Sequence, residues 1–148
     1  MLFLPQVPYM ILGTWRGQLL YPVMHAEIPD EELSRILIQV NLPDLVERCG
    51  GYDVELDFAK VLSIGEQQRL GVARILLSKP RYAVLDEATS ALDSENEERL
   101  YLRPKDSPNT LVSVAHRQTL LKYHANVLEI GNAGSWRLIQ ASPYRFID

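Results

Sequence analysis

The stretch that decides the fold is residues 63–93, which read SIGEQQRLGVARILLSKPRYAVLDEATSALD. From Ser63 to about Ser78 the apolar residues recur at helical spacing on a broad face, and Pro80 follows shortly after, so this part predicts a helix. Residues 82–85 form a short apolar run that ends abruptly in two carboxylates, as a buried strand does. A helix that leads into a buried strand is typical of an α/β fold.

Three further apolar runs predict strands on either side of this stretch: residues 2–4, 110–114 and 126–130. Their continuous apolar character is typical of strands that are buried on both faces of a parallel sheet. Residues 135–140 are predicted to add one more strand at an edge. Shorter helices are predicted at residues 30–40 and 43–48, from Asp93 or Ser94 to just before Pro104, and at residues 116–123.

Length and composition limit the class of protein. A chain of 148 residues has the size of one domain, and 47% hydrophobic with 23% charged residues excludes a disordered or coiled-coil chain. The net charge of -4 argues against a nucleic-acid partner. The single cysteine, Cys49, cannot form an internal disulfide, which favours a reducing compartment. Because no apolar run reaches the roughly 18 residues of a membrane helix, we expect no direct membrane insertion.

Polar side chains follow three of the predicted strands. Gln6 follows the first, Asp86 and Glu87 follow the strand at residues 82–85, and His116 follows the next one. Ligands bind outside the carboxyl ends of the strands in an open parallel sheet, so these four residues are expected to converge at a site for a metal ion and activated water. Each has a structural alternative, since Asp86 alone fits a helix cap and a lone histidine is often structural.

The start of the long helix is a second candidate site. Ser63 and Glu66 fit the capping box S-x-x-E, so local structure alone explains them. It does not explain Gly65, which weakens the first turn by up to about 1 kcal/mol unless something approaches the backbone closely. Exposed amides, a hydroxyl and a glycine at a helix start are suited to binding phosphate.

These motifs together resemble those of the ATP-binding cassette (ABC) ATPases. LSIGEQQR at residues 62–69 resembles their signature motif, and YAVLDEATSALD at residues 82–93 resembles their Walker B strand and D-loop. FLPQ at residues 3–6 is similar to the Q-loop and VAHR at residues 114–117 to the switch histidine. PQVPYM at residues 5–10 further resembles the half-transporter group that includes peroxisomal fatty-acyl transporters and their bacterial relatives.

The resemblance implies a nucleotide site with Mg²⁺. Asp86 would hold Mg²⁺ through water, Gln6 would approach the metal and report its state to a transmembrane partner, and Glu87 would deprotonate the water that attacks the γ-phosphate. His116 would contact the γ-phosphate from the side. General-base catalysis of this kind is worth roughly 10²- to 10⁴-fold in rate.

The resemblance also implies an ATPase dimer beneath a transmembrane transporter domain, at the cytoplasmic face of a membrane. Ser63, Gly65 and Gln67 would close over an ATP bound to the second ABC ATPase subunit, and Asp93 would couple the two sites. The fold implied is a P-loop NTPase-like, mostly parallel sheet with an inserted helical subdomain. That subdomain would occupy residues 7–80, and residues 1–6 and 81–140 would belong to the RecA-like core.

One part of the family pattern has no match in these residues. The phosphate loop, G-x-x-x-x-G-K-S/T, is expected before the Q-loop, and no stretch of the sequence fits it. We therefore expect an N-terminally truncated ATPase domain that is not active alone, since the loop supplies most of the groups that neutralise the triphosphate. The alternatives are a non-catalytic fragment or relic that only donates its signature motif to an intact subunit, and a DNA-repair or chromosome-maintenance ATPase, which the acidic charge disfavours.

Overall fold

The structure is a computed structural model that describes residues 1–23, 27–89, 94–101, 110–142 and 144–145. It divides into two compact units, Met1–Val114 and Ala115–Asp148. Asp93 and Pro104, which the sequence analysis placed in the D-loop and at the end of the following helix, lie outside the described residues.

The first unit contains a parallel sheet of three strands. These are β1 (Leu2–Leu4), β4 (Tyr82–Asp86) and β5 (Thr110–Val114), in the order β1-β4-β5. Leu4 lies opposite Leu85, and Asp86 lies opposite Val114. The strands predicted from the apolar runs are confirmed, and their parallel pairing brings their carboxyl ends to one edge.

Among the described residues, only one face of this sheet is covered by other elements. Leu4, Ala83 and Leu85 are buried, whereas Phe3 is 53% and Val112 is 47% exposed. Phe3, Val84 and Val112 lie opposite one another in register, so they share the open face. The prediction that these strands are buried on both faces is therefore wrong for β1 and β5, because a single layer packs against the described sheet.

The core of the first unit is built around helix α5 (Ile64–Ser78). Its middle is almost entirely buried, as the broad apolar face predicts, from Leu70 through Ile75. Gly71 lies where the helix meets Leu4 of β1, and a Cβ at this position would overlap the Leu4 Cδ1 atom and lie 3.3 Å from Pro8 Cγ. The absence of a side chain at Gly71 thus permits the close approach of the helix to the sheet.

The remaining elements of this unit lie, in the order of the sequence, between β1 and α5 or between β4 and β5. They are β2 (Leu12–Thr14), α1 (Trp15–Leu20), α2 (Asp30–Gln39), α3 (Leu45–Arg48), β3 (Glu55–Asp57), α4 (Phe58–Val61) and α6 (Ser94–Tyr101). Trp15 and Phe58 are both fully buried and meet edge to face, with their ring centroids 4.5 Å apart. The antiparallel pair β2–β3 was not predicted from the sequence.

The second unit contains a 3₁₀-helix (Gln118–Tyr123) and a hairpin of β6 (Asn126–Ile130) and β7 (Trp136–Gln140), with a further 3₁₀ turn (Asn132–Gly134) between the strands. The two strands pair antiparallel, with Leu128 opposite Leu138. The edge strand predicted at residues 135–140 is confirmed. The expectation that residues 126–130 form a strand buried in the parallel sheet is wrong, because this strand belongs to a two-stranded antiparallel sheet and has alternate residues exposed.

A search of the described ranges for membrane-spanning helices found no candidate of sufficient length and apolar character.

Candidate functional site

The carboxyl ends of β1 and β4 bring three of the predicted site residues to the same edge of the sheet. Leu4 and Leu85 are register partners, and Gln6 and Glu87 each follow two residues later. Gln6 is exposed, and Asp86 and Glu87 are half-buried. The first unit thus carries an amide and two carboxylates after neighbouring parallel strands, as expected for a ligand site in such a sheet.

Glu87 has an unusual backbone conformation at this edge. Its φ is 50°, in the left-handed region that residues with a Cβ rarely adopt. The Glu87 amide donates to the carbonyl oxygen of Val114 at 2.9 Å, so the hydrogen bonding between β4 and β5 continues one residue beyond Asp86. A non-glycine residue held in this region costs of order 1–3 kcal/mol, and such residues cluster at functional sites.

For two of the predicted site residues, a place at this edge stays a prediction. His116 belongs to the second compact unit, where it is exposed. Asp93 lies outside the described residues. The expected convergence therefore has a structural basis for Gln6, Asp86 and Glu87 within the first unit, and it stays a prediction for His116.

The start of helix α5 forms the predicted capping box. The Glu66 amide donates to Ser63 Oγ at 3.3 Å, and the Ser63 amide donates to Glu66 Oε2 at 2.8 Å. The Ser63 hydroxyl also donates to Glu66 Oε2 at 2.9 Å. Ser63 and Ile64 are exposed and Gly65 is half-buried, so the first turn of the helix lies at the surface.

Arg48 is a residue of this region that the sequence analysis missed. Its Nη2 lies 2.7 Å from Glu66 Oε1, the carboxylate oxygen that the capping box leaves available. Burial alone would raise the pKa of Glu66, but the hydrogen bonds from Ser63 and Arg48 outweigh it and lower that pKa. No sequence pattern indicated this pair, because Arg48 lies on another helix, far from Glu66 in the chain.

Gln67 faces the interior and not the surface. It is 7% exposed, and its Nε2 donates to the carbonyl oxygen of Leu62 at 2.9 Å and to that of Ala59 at 3.4 Å. These bonds hold the turn that precedes α5. Ser63 is thus the exposed member of the predicted signature site. Gln67 is buried and contributes through its hydrogen bonds to the preceding turn.

The described residues contain no group of three or more His, Cys, Asp or Glu side chains arranged to hold a metal ion. The side-chain oxygens that the predicted site residues offer at the β1–β4 edge are those of the Asp86 and Glu87 carboxylates and the Gln6 amide. This set fits Mg²⁺, which proteins usually bind through one or two carboxylates, with water and substrate phosphates completing the shell.

The family model described as "ABC transporter" matches residues 14–90, more than half of the chain. The chain belongs to the ABC transporter family. This match covers most of the helical elements, α5 and the β4 edge with Asp86 and Glu87. The resemblance that the signature, Walker B and Q-loop stretches indicated is therefore confirmed at the level of the family.

Similar proteins come from bacteria, plants and animals. An uncharacterized ABC transporter ATP-binding protein of Synechocystis, sll0182, is 51% identical over 93% of this chain. The ABC transporter D family member 2, chloroplastic, of Arabidopsis thaliana is 40% identical over 93% of it, and the human lysosomal cobalamin transporter ABCD4 is 43% identical over 94%. The D-family half-transporters and bacterial relatives are thus the group that the sequence resembles.

The chain spans only part of each of these proteins. It covers 21% of the Synechocystis protein and 24% of the human one. A solved structure of a bacterial Atm1-family ABC exporter with ATP bound matches with a TM-score of 0.70 and 29% identity, over 86% of this chain and 23% of the exporter chain. The α/β fold of an ABC nucleotide-binding domain is therefore shown.

Proposed function

We propose that this chain is the signature-bearing part of an ATP-binding and ATP-hydrolysing domain of an ABC membrane transporter. Because its residues include no match to the phosphate loop, hydrolysis requires that loop from sequence outside them or from another polypeptide. The observation that carries the proposal is the β1–β4 edge, where Gln6 and Glu87 each lie two residues beyond the register partners Leu4 and Leu85.

Glu87 is proposed as the general base. It immediately follows Asp86 at the end of β4, and its left-handed backbone is maintained although it is unfavourable for a residue with a Cβ. Phosphoryl transfer depends mainly on positioning and charge neutralisation, so the protein needs no covalent nucleophile. One carboxylate that orients the attacking water and accepts its proton is enough. His116 is proposed to contact the γ-phosphate, and Asp93 to couple the two sites of the dimer.

Asp86 and Gln6 are proposed to hold Mg²⁺ with the phosphates of ATP. When bound, the ion would neutralise phosphate charge and orient the terminal phosphate. Gln6 supplies a neutral oxygen from an exposed position, and Asp86 supplies a half-buried carboxylate.

Ser63 and Gly65 are proposed to contact an ATP molecule held by a second ABC ATPase subunit. The surface position of this helix start supports that role, since its hydroxyl and first-turn amides are accessible to an anion from outside. The motif places Gln67 beside these residues in the sequence. Its inward hydrogen bonds favour an indirect contribution, in which it holds the turn that presents Ser63.

The partners proposed are a second ATPase subunit and a transmembrane transporter domain, with this chain at the cytoplasmic face of the membrane. The supporting observation is the similarity to D-family transporters over most of the chain. Substrates in the names of the relatives, such as cobalamin, belong to those proteins and are not assigned to this chain.

The base assignment is tested in this chain joined downstream of the part of the Synechocystis relative that precedes the matched region, in a fusion that is first shown to hydrolyse ATP. Glu87→Gln is expected to lower ATP turnover by roughly 10²- to 10⁴-fold and to leave ATP binding intact, because only the proton acceptor is removed. Glu98→Gln, at an exposed position of α6, is the matched control. Turnover that survives in Glu87→Gln would refute the assignment.

The non-catalytic alternative is tested with the chain as it is. Mixed with an intact subunit of the Synechocystis relative, the chain is expected to associate in MgATP and not in MgADP, and Ser63→Arg is expected to prevent association. Association without any ATPase activity in the joined protein would favour the alternative. Absence of association by a folded chain would count against a role for Ser63 and Gly65 toward another subunit.

A further inference from the structure

Helix α5 holds the segment that follows β1 through two buried polar side chains. Gln68 is fully buried, and its Nε2 donates to the carbonyl oxygen of Gln6 at 2.7 Å. Further along the helix, Arg74 Nη1 donates to the carbonyl oxygen of Tyr9, also at 2.7 Å. One helix thus binds the backbone of this segment at two points, one on each side of Pro8.

Arg74 is buried among uncharged acceptors. It is 4% exposed, its Nε donates to the carbonyl oxygen of Gln18 at 2.8 Å, and its Nη2 donates to Gln18 Oε1 at 2.6 Å. The guanidinium also lies over the ring of Tyr21, 5.3 Å from the centroid. Burial lowers the pKa of Arg74 to about 10, so the side chain remains a cation at neutral pH. A buried cation without a carboxylate partner is costly, and an apolar side chain would fill this space without that cost.

The network extends to a third backbone anchor through Gln18. The Ile11 amide donates to Gln18 Oε1 at 3.0 Å, and Gln18 Nε2 donates to the carbonyl oxygen of Ile11 at 3.2 Å. Gln18 therefore links Arg74 to the end of the segment. Residues 6–11 contain no helix or strand, so these side chains determine the path of the backbone there.

Close packing also joins helix α5 to the segment at residues 6–11. Gly71 of α5 lies between Gln68 and Arg74 and accommodates Leu4 and Pro8 where any side chain would interfere. Outside these contacts the segment faces away from the helix, since Gln6 is exposed and Val7 and Tyr9 are 60% and 64% exposed. The segment therefore has an anchored side on α5 and an open side that carries the Gln6 side chain.

We propose that Gln68 and Arg74 are positioning residues for Gln6, which fix the backbone of residues 6–11 to helix α5. This inference rests on the role proposed above for Gln6 beside the nucleotide. Gln68 lies five residues after Ser63, which corresponds to roughly 7.5 Å along a helix at 1.5 Å per residue. Gln68 therefore attaches the backbone of Gln6 to the part of α5 that lies near its start.

The experiment is NMR spectroscopy of the full chain without nucleotide, in Gln68→Met and Arg74→Lys. Gln68→Met keeps the side-chain length and removes the donor, so the carbonyl ¹³C shift of Gln6 is expected to move upfield. In Arg74→Lys the Ile11 amide is expected to exchange roughly tenfold faster, because the guanidinium no longer holds Gln18, whose Oε1 accepts a hydrogen bond from that amide. Gln39→Met and Arg35→Lys, at exposed positions of α2, are the matched controls.

A purely structural role predicts a different pattern. Exchange would then rise uniformly, including at the buried Leu37 of α2, with no specific change at Gln6, and this result would overturn the proposal. An unchanged Gln6 carbonyl shift in a folded Gln68→Met chain would overturn it as well, even if Arg74→Lys does not fold. Because the measurement uses no ATP, its failure is distinguishable from a failure of the proposed ATPase function.

Discussion

The start of α5 and the end of β4 carry the two groups of candidate site residues, and their backbones differ in kind. At the start of α5 the helix cap follows local rules, since Ser63 caps the helix and Glu66 closes the capping box. At the end of β4, Glu87 adopts a left-handed φ of 50° that no local rule favours. The hydrogen bonds of the capping box join residues of the helix start itself, whereas the conformation of Glu87 depends on its surroundings.

This difference shows where function can be read from local structure. The capping box explains Ser63 and Glu66 without any ligand, so their presence alone says little about ATP. Glu87 has a conformation that costs free energy and that its neighbours must maintain, which is typical of a functional position. We therefore give the β4 edge more weight than the helix start as evidence for chemistry.

The largest effect is expected where α5 is attached to the sheet, since both regions depend on this contact. Gly71→Val would drive a branched side chain into Leu4 and Pro8 and is expected to lower the free energy of unfolding by about 1–3 kcal/mol. Denaturant unfolding measures this change. Ala59→Val, at an exposed position of α4, is the control, and equal effects of the two substitutions would contradict the close contact.

Loss of the helix cap tests the start of α5. Ser63→Ala removes the acceptor for the Glu66 amide and the donor to its carboxylate, and it is expected to cost about 1 kcal/mol of stability. Ser63→Thr keeps both groups and should retain most of the stability in the same unfolding measurement. A neutral Ser63→Ala would mean that the capping box contributes nothing to the folded chain.

Relief of backbone strain tests the end of β4. Here a substitution by glycine is expected to raise the stability relative to alanine, whereas the two substitutions above lower the stability. Glu87→Gly and Glu87→Ala both lose the carboxylate, but only glycine adopts the left-handed conformation without cost. Glu87→Gly is therefore expected to be about 0.5–1 kcal/mol more stable than Glu87→Ala. Thermal unfolding of the two variants side by side measures the difference. Equal stabilities would remove the contrast with the start of α5.

The smallest effect is expected from acidification at the capping box. The pKa of Glu66 is lowered below its ordinary value of 4.5 in the folded chain, so its contribution is complete above that value. As the pH falls below 4.5, the unfolded chain takes up a proton first, and this contribution is lost down to the folded-state pKa. The loss of stability in acid should be smaller in Glu66→Gln than in the unsubstituted chain, and identical pH profiles would count against the pair with Arg48.

Much of the fold follows from local pattern. The bounds predicted for β1, β5 and β6 agree with the structure, and so does the helix from Ser63 to Ser78, because apolar runs and caps are encoded locally. The pairing of β6 could not be read from its apolar residues, which do not reveal the partner strand. The pair β2–β3 was missed because two three-residue strands far apart in sequence have little pattern of their own.

The candidate site also contains residues that the sequence predicts and residues that it does not. Motif spacing identified Gln6, Asp86 and Glu87, and the parallel register explains why Gln6 and Glu87 reach one edge. The burial of Gln67 could not be predicted from the motif, since it depends on carbonyl groups of the preceding turn. Arg48 and Arg74 act through contacts between distant segments, which no single stretch of sequence reveals.

The pair of Arg48 and Glu66 has a practical consequence for labelling. Cys49, the single cysteine of the chain, is half-buried and directly follows Arg48 at the end of α3. A thiol-reactive fluorophore on the native chain would therefore lie one residue from the guanidinium that holds the capping carboxylate. Release of Arg48 from Glu66 would change the surroundings of that dye, so the natural sequence already provides an optical reporter for the start of α5.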